Sequence, residues 1–493
     1  MRNDYFFRVS VAKNTVFLTG ASIIQKALSF VYFLVLARAF GADQIGKYTY
    51  ALAFTTIFAI VVDGGLTPVL IRRIAQGAER PLAILRRVLK IKILLLGCCV
   101  ALMIIGVFLL ERAFEIRVLI IAAAAVMVID SINLTLFGVL RGLHNLTFES
   151  AGLILAQLIS FGVGLFVAHE HLPIVFALVG LGFGSLVHLC IALTGVKRLV
   201  RAYTPALEAP DSSLALGEKR ATTAEIVRAA VPFALAGIFA RGYSFLDSIL
   251  LGAASFTATG IYSVPNKLTF AFQFIPLSLS ASLYPSFSKT VHVDPAETAE
   301  RFRKSERYLL ATVTLIVALL ITLRQKFLSF YGNEFIVAEI TLVILSFALI
   351  FSFIAFPVGA LLNAAGLQKL QTIAMGITLA VNAAMNVILI PHFGPIGAAI
   401  SALVGNTLLF GCGVWFVEHR VLRLPWKELI FDFVWLMGVG CVLLLLGTAL
   451  SFLHVYWLIV AALLCGAHIA LLQISGIIQI SDVRGVLQQL KKI

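Results

Sequence analysis

Between residues 12 and 477 the chain is built from apolar runs of about 20 residues or more, parted by short charged or Gly- and Pro-containing segments. A helix of that length spans the hydrocarbon core of a bilayer, and it satisfies its own backbone polar groups where no water can. Fourteen such helices are predicted, near 12–36, 45–70, 88–110, 116–140, 150–169, 173–196, 227–250, 258–285, 306–323, 335–363, 371–390, 395–417, 429–451 and 455–477. The expected fold class is all-α integral membrane. Composition agrees: 60% of the 493 residues are hydrophobic, 13% are charged and the mean hydropathy is +1.02, which excludes a soluble enzyme carried on an anchor.

Positive charge orients the helices. With the N-terminus inside, 29 of the 38 Lys and Arg residues fall in cytoplasmic segments, six fall outside, and three (Lys26, Arg241 and Lys267) lie within helices. One missed or extra helix would scramble this alternation. Both termini are therefore expected in the cytoplasm, with the protein multi-pass in the plasma (inner) membrane. The net charge of +14 is explained by these loops, and no nucleic-acid partner is expected. The six cysteines all sit in apolar runs without metal-ligand spacing and read as small buried hydrophobes.

The sequence also repeats itself. Gln25-Lys26-Ala27-Leu28-Ser29-Phe30 aligns without a gap on Ala240-Arg241-Gly242-Tyr243-Ser244-Phe245, which places Lys26 and Arg241 at equivalent positions 215 residues apart. Gly46-Lys47-Tyr48 recurs as Gly260-Ile261-Tyr262, Gly142-Leu143-His144-Asn145-Leu146 as Gly366-Leu367-Gln368-Lys369-Leu370, and Pro173-Ile174 as Pro395-Ile396. Helices 1–6 thus recur as helices 7–12. Six is even, so the copies share one orientation, and parallel repeats of this kind are expected to enclose a central cavity. The predicted organisation is an N-lobe over 1–200, a cytoplasmic linker over 201–222, a C-lobe over 223–418, two further helices over 419–477 and a cytoplasmic amphipathic tail over 478–493 lying on the membrane surface. Thr222-x-x-Glu225 reads as a capping box that starts the seventh helix, and Asp294-Pro295-x-Glu297 starts the approach to the ninth.

Three membrane-embedded cations stand out as candidate substrate-binding residues. A charge at that depth costs roughly 2.5–3.5 kcal/mol on an insertion scale, so it faces a partner or a wet cavity. Thr15, Thr19, Ser22, Lys26 and Ser29 share one helix face, as do Arg241, Ser244 and Ser248. One cation from each half could clamp a phosphate or pyrophosphate; alternatively each could pair with an intramembrane carboxylate, of which Asp63, Asp130 and Asp247 are available. Lys267 follows Pro265 and Asn266 and either adds a third cation or holds a proline bend. Asp63, Asp130 and Asp247 are the candidates for coupling to a proton or sodium ion; Asp63 also suits a structural contact with Arg72 or Arg73. Thr378, Asn382 and Asn386 share a face with no charge nearby, suited either to sugar hydroxyls or to bonding between helices. The sequence shows no nucleotide-binding motif, His/Cys metal cluster or nucleophile with its base, so no cofactor is expected beyond a coupling ion.

At this point the chain resembles the polysaccharide transporters, the O-antigen and related oligosaccharide flippases of the multidrug/oligosaccharidyl-lipid/polysaccharide flippase superfamily. The resemblance covers nearly the whole length. It rests on Leu36-Ala37-Arg38-Ala39-Phe40-Gly41, Asp63-Gly64-Gly65-Leu66, the segment from Tyr262 to Leu268 with Pro276 and Pro285, Leu361-Leu362-Asn363-Ala364-Ala365-Gly366, and the run from Ile390 to Ala399. It implies alternating access, with a polyprenyl-pyrophosphate-linked oligosaccharide moved from the cytoplasmic to the outer leaflet for cell-surface polysaccharide assembly. The implied partners are that cargo, membrane lipids and polysaccharide polymerase machinery. Two relatives compete within the superfamily, a lipid II flippase and a drug/cation antiporter. The first is disfavoured by the few first-lobe arginines, the second by fourteen helices and basic rather than acidic residues. A membrane glycan polymerase or ligase would need a sizeable outside loop, and every predicted outside loop is short.

Overall fold

The computed structural model describes residues 2–77, 79–111, 113–207, 222–453 and 455–474. Most of the expected linker and the amphipathic tail lie outside these residues. The described chain folds into sixteen α-helices: α1 Arg2–Asp63, α2 Leu66–Ala75, α3 Pro81–Leu110, α4 Phe114–Gly142, α5 Thr147–His169, α6 Val175–Leu207, α7 Thr223–Ala254, α8 Phe256–Ala271, α9 Phe274–Thr290, α10 Pro295–Thr322, α11 Arg324–Ser329, α12 Glu339–Ala364, α13 Gln368–Phe393, α14 Pro395–Arg420, α15 Trp426–Phe452 and α16 Trp457–Ile474. No strand occurs among the described residues.

Twelve stretches are long and apolar enough to cross a membrane. Two local events reconcile this with fourteen predicted spans. The first two spans are joined as α1, which kinks at Gly41, where φ is 75° and a side chain would be strained. The eighth span is broken into α8 and α9, of 16 and 17 residues, by tight turns in which the Phe272 and Gln273 amides donate to the Thr269 and Phe270 carbonyls. Both predicted helix starts form as read. Thr222 and Glu225 make a reciprocal capping box, and the Asp294 carboxylate accepts from the Glu297 amide with Pro295 in the first turn. On α3 the apolar side chains of Ile93, Leu94, Leu102 and Leu109 point outward, as a lipid-facing helix requires.

The chain forms two compact units, 1–260 and 261–493. The sequence repeat begins its second copy near 223, one helix earlier. The reason is that α7 packs lengthwise on the second half of α1 and on α2. Gly252 lies against Tyr50, Gly237 has Ile60 at 3.6 Å from where a Cβ would stand, and Gly65 lies against Ala230. A core of Leu70, Ile84, Val88, Phe137, Val139 and Ile226 joins α2, α3, α4 and α7.

In the second unit α12 is central, touching α9, α10 and α14, while α13 packs on α14. The two helices outside the repeat, α15 and α16, pack on α10, where Arg303 Nε donates to Asp432 at 3.0 Å. Each unit contains the same trio of neighbours: α4 and α5 both pack on α6, as α12 and α13 both pack on α14. The duplication read from sequence is thus repeated in packing.

The recurring glycine motif has a physical role inside the first unit. A Cβ on Gly46 would land on the Phe256 carbonyl, and a Cβ on Gly260 would land on the Ala42 carbonyl. Residue 42 is to 256 as 46 is to 260, so the contact is reciprocal: equivalent pieces of the two repeats meet through the same residues. Thr257 donates to Asp43 at 3.3 Å, again a pair of equivalent positions. Backbones approach this closely only where the side chain is hydrogen, as at small-residue seams between membrane helices.

Candidate functional site

Lys26 on α1 and Arg241 on α7 both belong to the first unit, and both side chains are exposed. Neither has an ion-pair partner among the described residues. Their polar stripes are partly open: Thr19 and Ser244 are exposed, Ser22 and Ser29 half-buried, Ser248 buried, and Thr15 lies outside the described side chains. A lone cation on an apolar helix needs water or an anion beside it.

A second polar region lies within the first unit. A half-open cavity of about 390 Å³ lies between α1, α4, α5 and α6 and is lined by Gln25, Asp130, Asn133, Gln157, Ser185 and His188, with Arg141 and Glu149 at one end. On α4 the residues 126, 130, 133, 137 and 141 recur at helical spacing, so one face of that helix supplies most of the wall. Asn133 is 2% exposed. Its Nδ2 donates to the Ser185 carbonyl at 3.0 Å and, more weakly, to Asp130 Oδ1 at 3.4 Å, while its Oδ1 is buried without a partner among the described residues. Glu149 is engaged at both oxygens by Arg141, whose Nε lies 2.9 Å from Oε2 and whose second nitrogen holds Oε1. His188 stacks on Phe137 with ring centroids 4.3 Å apart, and its Nε2 has no partner among the described residues. Gly152 makes room for that ring, since a Cβ there would stand 2.5 Å from His188 Cδ2.

The remaining sequence candidates separate. Asp63 meets Lys92 at 3.0 Å and accepts from Thr67. The expected contacts with Arg72 or Arg73 do not form; Arg73 instead reaches Glu79 at 2.9 Å. Lys92, counted with the cytoplasmic cations although it lies within the predicted helix at 88–110, is 2% exposed and also donates to Thr135 at 2.8 Å. Asp247 is buried on α7. In the second unit Lys267 is exposed on α8, whereas Thr378, Asn382 and Asn386 are sealed within the bundle, Asn386 Nδ2 donating to Asn382 Oδ1 at 3.0 Å. That burial is the geometry of bonding inside a bundle. Glu149, His188, Gln157 and Arg141 escaped the sequence reading. Glu149, Gln157 and Ser160 do follow a helix face, but nothing in the sequence says that it meets the Asp130 face of α4.

Comparison with known proteins agrees with this architecture. Residues 11–291 match the model of the family described as "Polysaccharide biosynthesis protein". The probable flippase AglR of Haloferax volcanii is 33% identical over 174 residues, 34% of this chain and 36% of that protein, so that match spans about a third of either chain. The probable low-salt glycan biosynthesis flippase Agl15 of the same organism is 22% identical over 411 residues, covering 81% of this chain and 83% of the relative. Among solved structures, the lipid II flippase MurJ in an inward closed conformation superposes with a TM-score of 0.70 at 13% identity, over 93% of this chain and 98% of that one. An inward-facing multidrug resistance MATE transporter of the MOP superfamily gives 0.59 at 14% identity, over 85% and 95%. At these identities the two structures speak for the fold, a multi-pass helical membrane bundle. With the family model matching more than half of its length, the chain belongs to the polysaccharide biosynthesis protein family.

Proposed function

We propose that this protein is a flippase, not an enzyme, which moves a polyprenyl-pyrophosphate-linked oligosaccharide from the cytoplasmic to the outer leaflet by alternating access. The observation that carries the reading is the pair Lys26 and Arg241: equivalent in the repeat, on membrane helices, exposed and without ion-pair partners among the described residues. A pyrophosphate supplies the anion such a pair needs, Arg offering a planar fork and Lys a point charge. The polyprenyl tail stays in lipid while the polar head passes. An inside-negative potential favours outward movement of an anion by about 2.3 kcal/mol per charge per 100 mV. The names of the two Haloferax relatives, both called probable flippases and one assigned to glycan biosynthesis, support this reading. The distribution of Lys and Arg supports placing both termini in the cytoplasm.

Mass spectrometry of polyprenyl-linked glycans in cells lacking the gene, against cells with it restored, tests the proposal. Accumulation of one complete oligosaccharide on its lipid supports it and names the cargo. Accumulation of lipid II would redirect the assignment to cell-wall precursor export. Unchanged lipid-linked glycans with lost dye efflux would make the protein a small-molecule exporter.

A further inference from the structure

The cavity in the first unit contains more polar chemistry than the packing of its helices requires. Asn133 is 2% exposed, yet its Oδ1 has no donor among the described residues, and His188 Nε2 is likewise without a partner there. A bare amide oxygen in an interior is costly, so a group from outside the chain is expected to meet it. Gln25 on α1 and Gln157 on α5 line the same cavity, both half-buried, and neither side chain bonds to a described residue. Amide groups that the fold itself leaves unused thus converge from three helices.

The second repeat packs the same helix trio without these groups. By the offset that carries Gly142 to Gly366, Asn133 falls on Pro357, Glu149 on Ile373 and Gln157 on Val381. By the offsets of Lys26 to Arg241 and of Pro173 to Pro395, Gln25 falls on Ala240 and His188 on Phe410. Of the polar wall only the Ser185 hydroxyl recurs, as Thr407. The helices α12, α13 and α14 nonetheless keep the neighbours that α4, α5 and α6 have. Polar groups that packing does not need, kept in one copy at the cost of desolvation, point to a ligand.

The wall says what kind of ligand. Amides, a hydroxyl and an imidazole both donate and accept, so they match a ligand whose own groups do both. The hydroxyls of a sugar ring are such groups: one O–H donates to Asn133 Oδ1, and other ring oxygens accept from the glutamine amides. Val126, Leu134 and Leu153 in the same wall suit the C–H faces of the ring. Arg141 and Glu149 satisfy each other's charge and call for no ion. The volume of about 390 Å³ is in the roughly 300–1,000 Å³ range of pockets that hold small molecules.

Gln25 ties this cavity to the cationic stripe. Ser22, Gln25, Lys26 and Ser29 follow the i, i+3, i+4, i+7 spacing of one face of α1, so a group held at Lys26 has the cavity beside it. We infer that the cavity receives a sugar ring of the cargo, the one joined to the pyrophosphate, with Gln25 on the Lys26 side and Asn133 and Gln157 reading its hydroxyls. The inference rests on the proposed function, which supplies the cargo. It makes these three residues determinants of which first sugar is accepted.

The test is made in the strain lacking the gene, with the full-length protein restored. A photoreactive benzoylphenylalanine is placed at position 157 or, as the control, at the matching position 381, the membranes are irradiated, and the protein is analysed by mass spectrometry. The expected result is an adduct at 157 with a lipid-linked glycan, its fragments placing the link on a sugar rather than on the polyprenyl chain, and none at 381. In parallel, Gln25→Ala and Gln157→Ala should each slow clearance of the accumulated lipid-linked glycan about tenfold or more. Membrane level and unfolding temperature should not move, because neither side chain bonds to a described residue. If the wild type clears the glycan, then wild-type clearance by both alanine variants, the lack of a sugar adduct at 157, or an equal adduct at 381 overturns this inference and leaves the proposed function standing. A wild type that clears no lipid-linked glycan overturns both. The alanine variants decide alone if the photoreactive proteins fail to fold.

Discussion

The glycine seam and the acidic cavity lie in the same compact unit, yet they relate to the duplication in opposite ways. At the seam, Ala42 and Gly46 meet Phe256 and Gly260, the same positions from both repeats, and Lys26 and Arg241 likewise place a cation at one position in both. In the cavity, Asp130, Asn133, Glu149 and His188 occur in the first repeat, while Ile354, Pro357, Ile373 and Phe410 stand at the matching places in the second. Features kept in both copies suit what the two repeats do together, meeting at the seam and, on the proposed function, holding one anionic cargo. A feature kept in one copy serves a task that one copy performs.

The largest expected effect comes from breaking the seam. Gly46→Val or Gly260→Val puts a branched side chain where a backbone carbonyl already stands, and overpacking of that kind costs about 1–3 kcal/mol or more. Export should be lost with the protein still in the membrane. Disulfide formation in the double variant Asp43→Cys, Thr257→Cys should drop when either valine is added, and full export by both valine variants would dissolve the seam half of the comparison.

Next in size is the shared cation. Lys26→Ala and Arg241→Ala should each lower export at least about tenfold, the equivalent of ~1.4 kcal/mol, while Lys26→Arg retains most of it because the charge remains. Surface polysaccharide per unit of membrane protein is the readout. Equal effects of the two alanines would sharpen the claim of equivalence; loss from one and none from the other would break it.

Smaller effects probe features assigned to scaffold alone. Asn382→Leu leaves Asn386 Nδ2 without its acceptor and should lower thermal stability by about 1 kcal/mol, with export following the amount of protein left. Thr222→Ala removes one half of a capping box and should cost about 1 kcal/mol of stability with export per molecule unchanged. A selective loss of export in Asn382→Leu would return that residue to the cargo site.

How much of this was legible in the sequence depended on whether the signal was local. The Thr222 and Asp294 caps are contained within four residues each, and they formed as read. The apolar runs gave the spans because length alone sets them, but not the continuity of α1 across Gly41, which depends on one backbone angle. The likeness of Gly46 and Gly260 was visible; that they touch was not, because equivalence under a repeat does not imply contact. Lys92 falls inside the predicted helix at 88–110 yet counts with the cytoplasmic cations, and its burial against Asp63, 29 residues upstream, is a tertiary contact that no local pattern announces. The cavity was the least legible part. Glu149 and His188 each look ordinary on their own helices, and only the packing of α5 and α6 against α4 brings them beside Asp130.

The most direct test of the central claim uses a strain lacking the gene and measures its lipid-linked glycans after restoring either the wild type or the double variant Lys26→Ala, Arg241→Ala, with the variant confirmed in the membrane. The account predicts that the wild type clears the accumulated lipid-linked oligosaccharide and that the double variant leaves it in place. Clearance by the double variant at the wild-type rate would contradict the assignment of these two cations to the cargo.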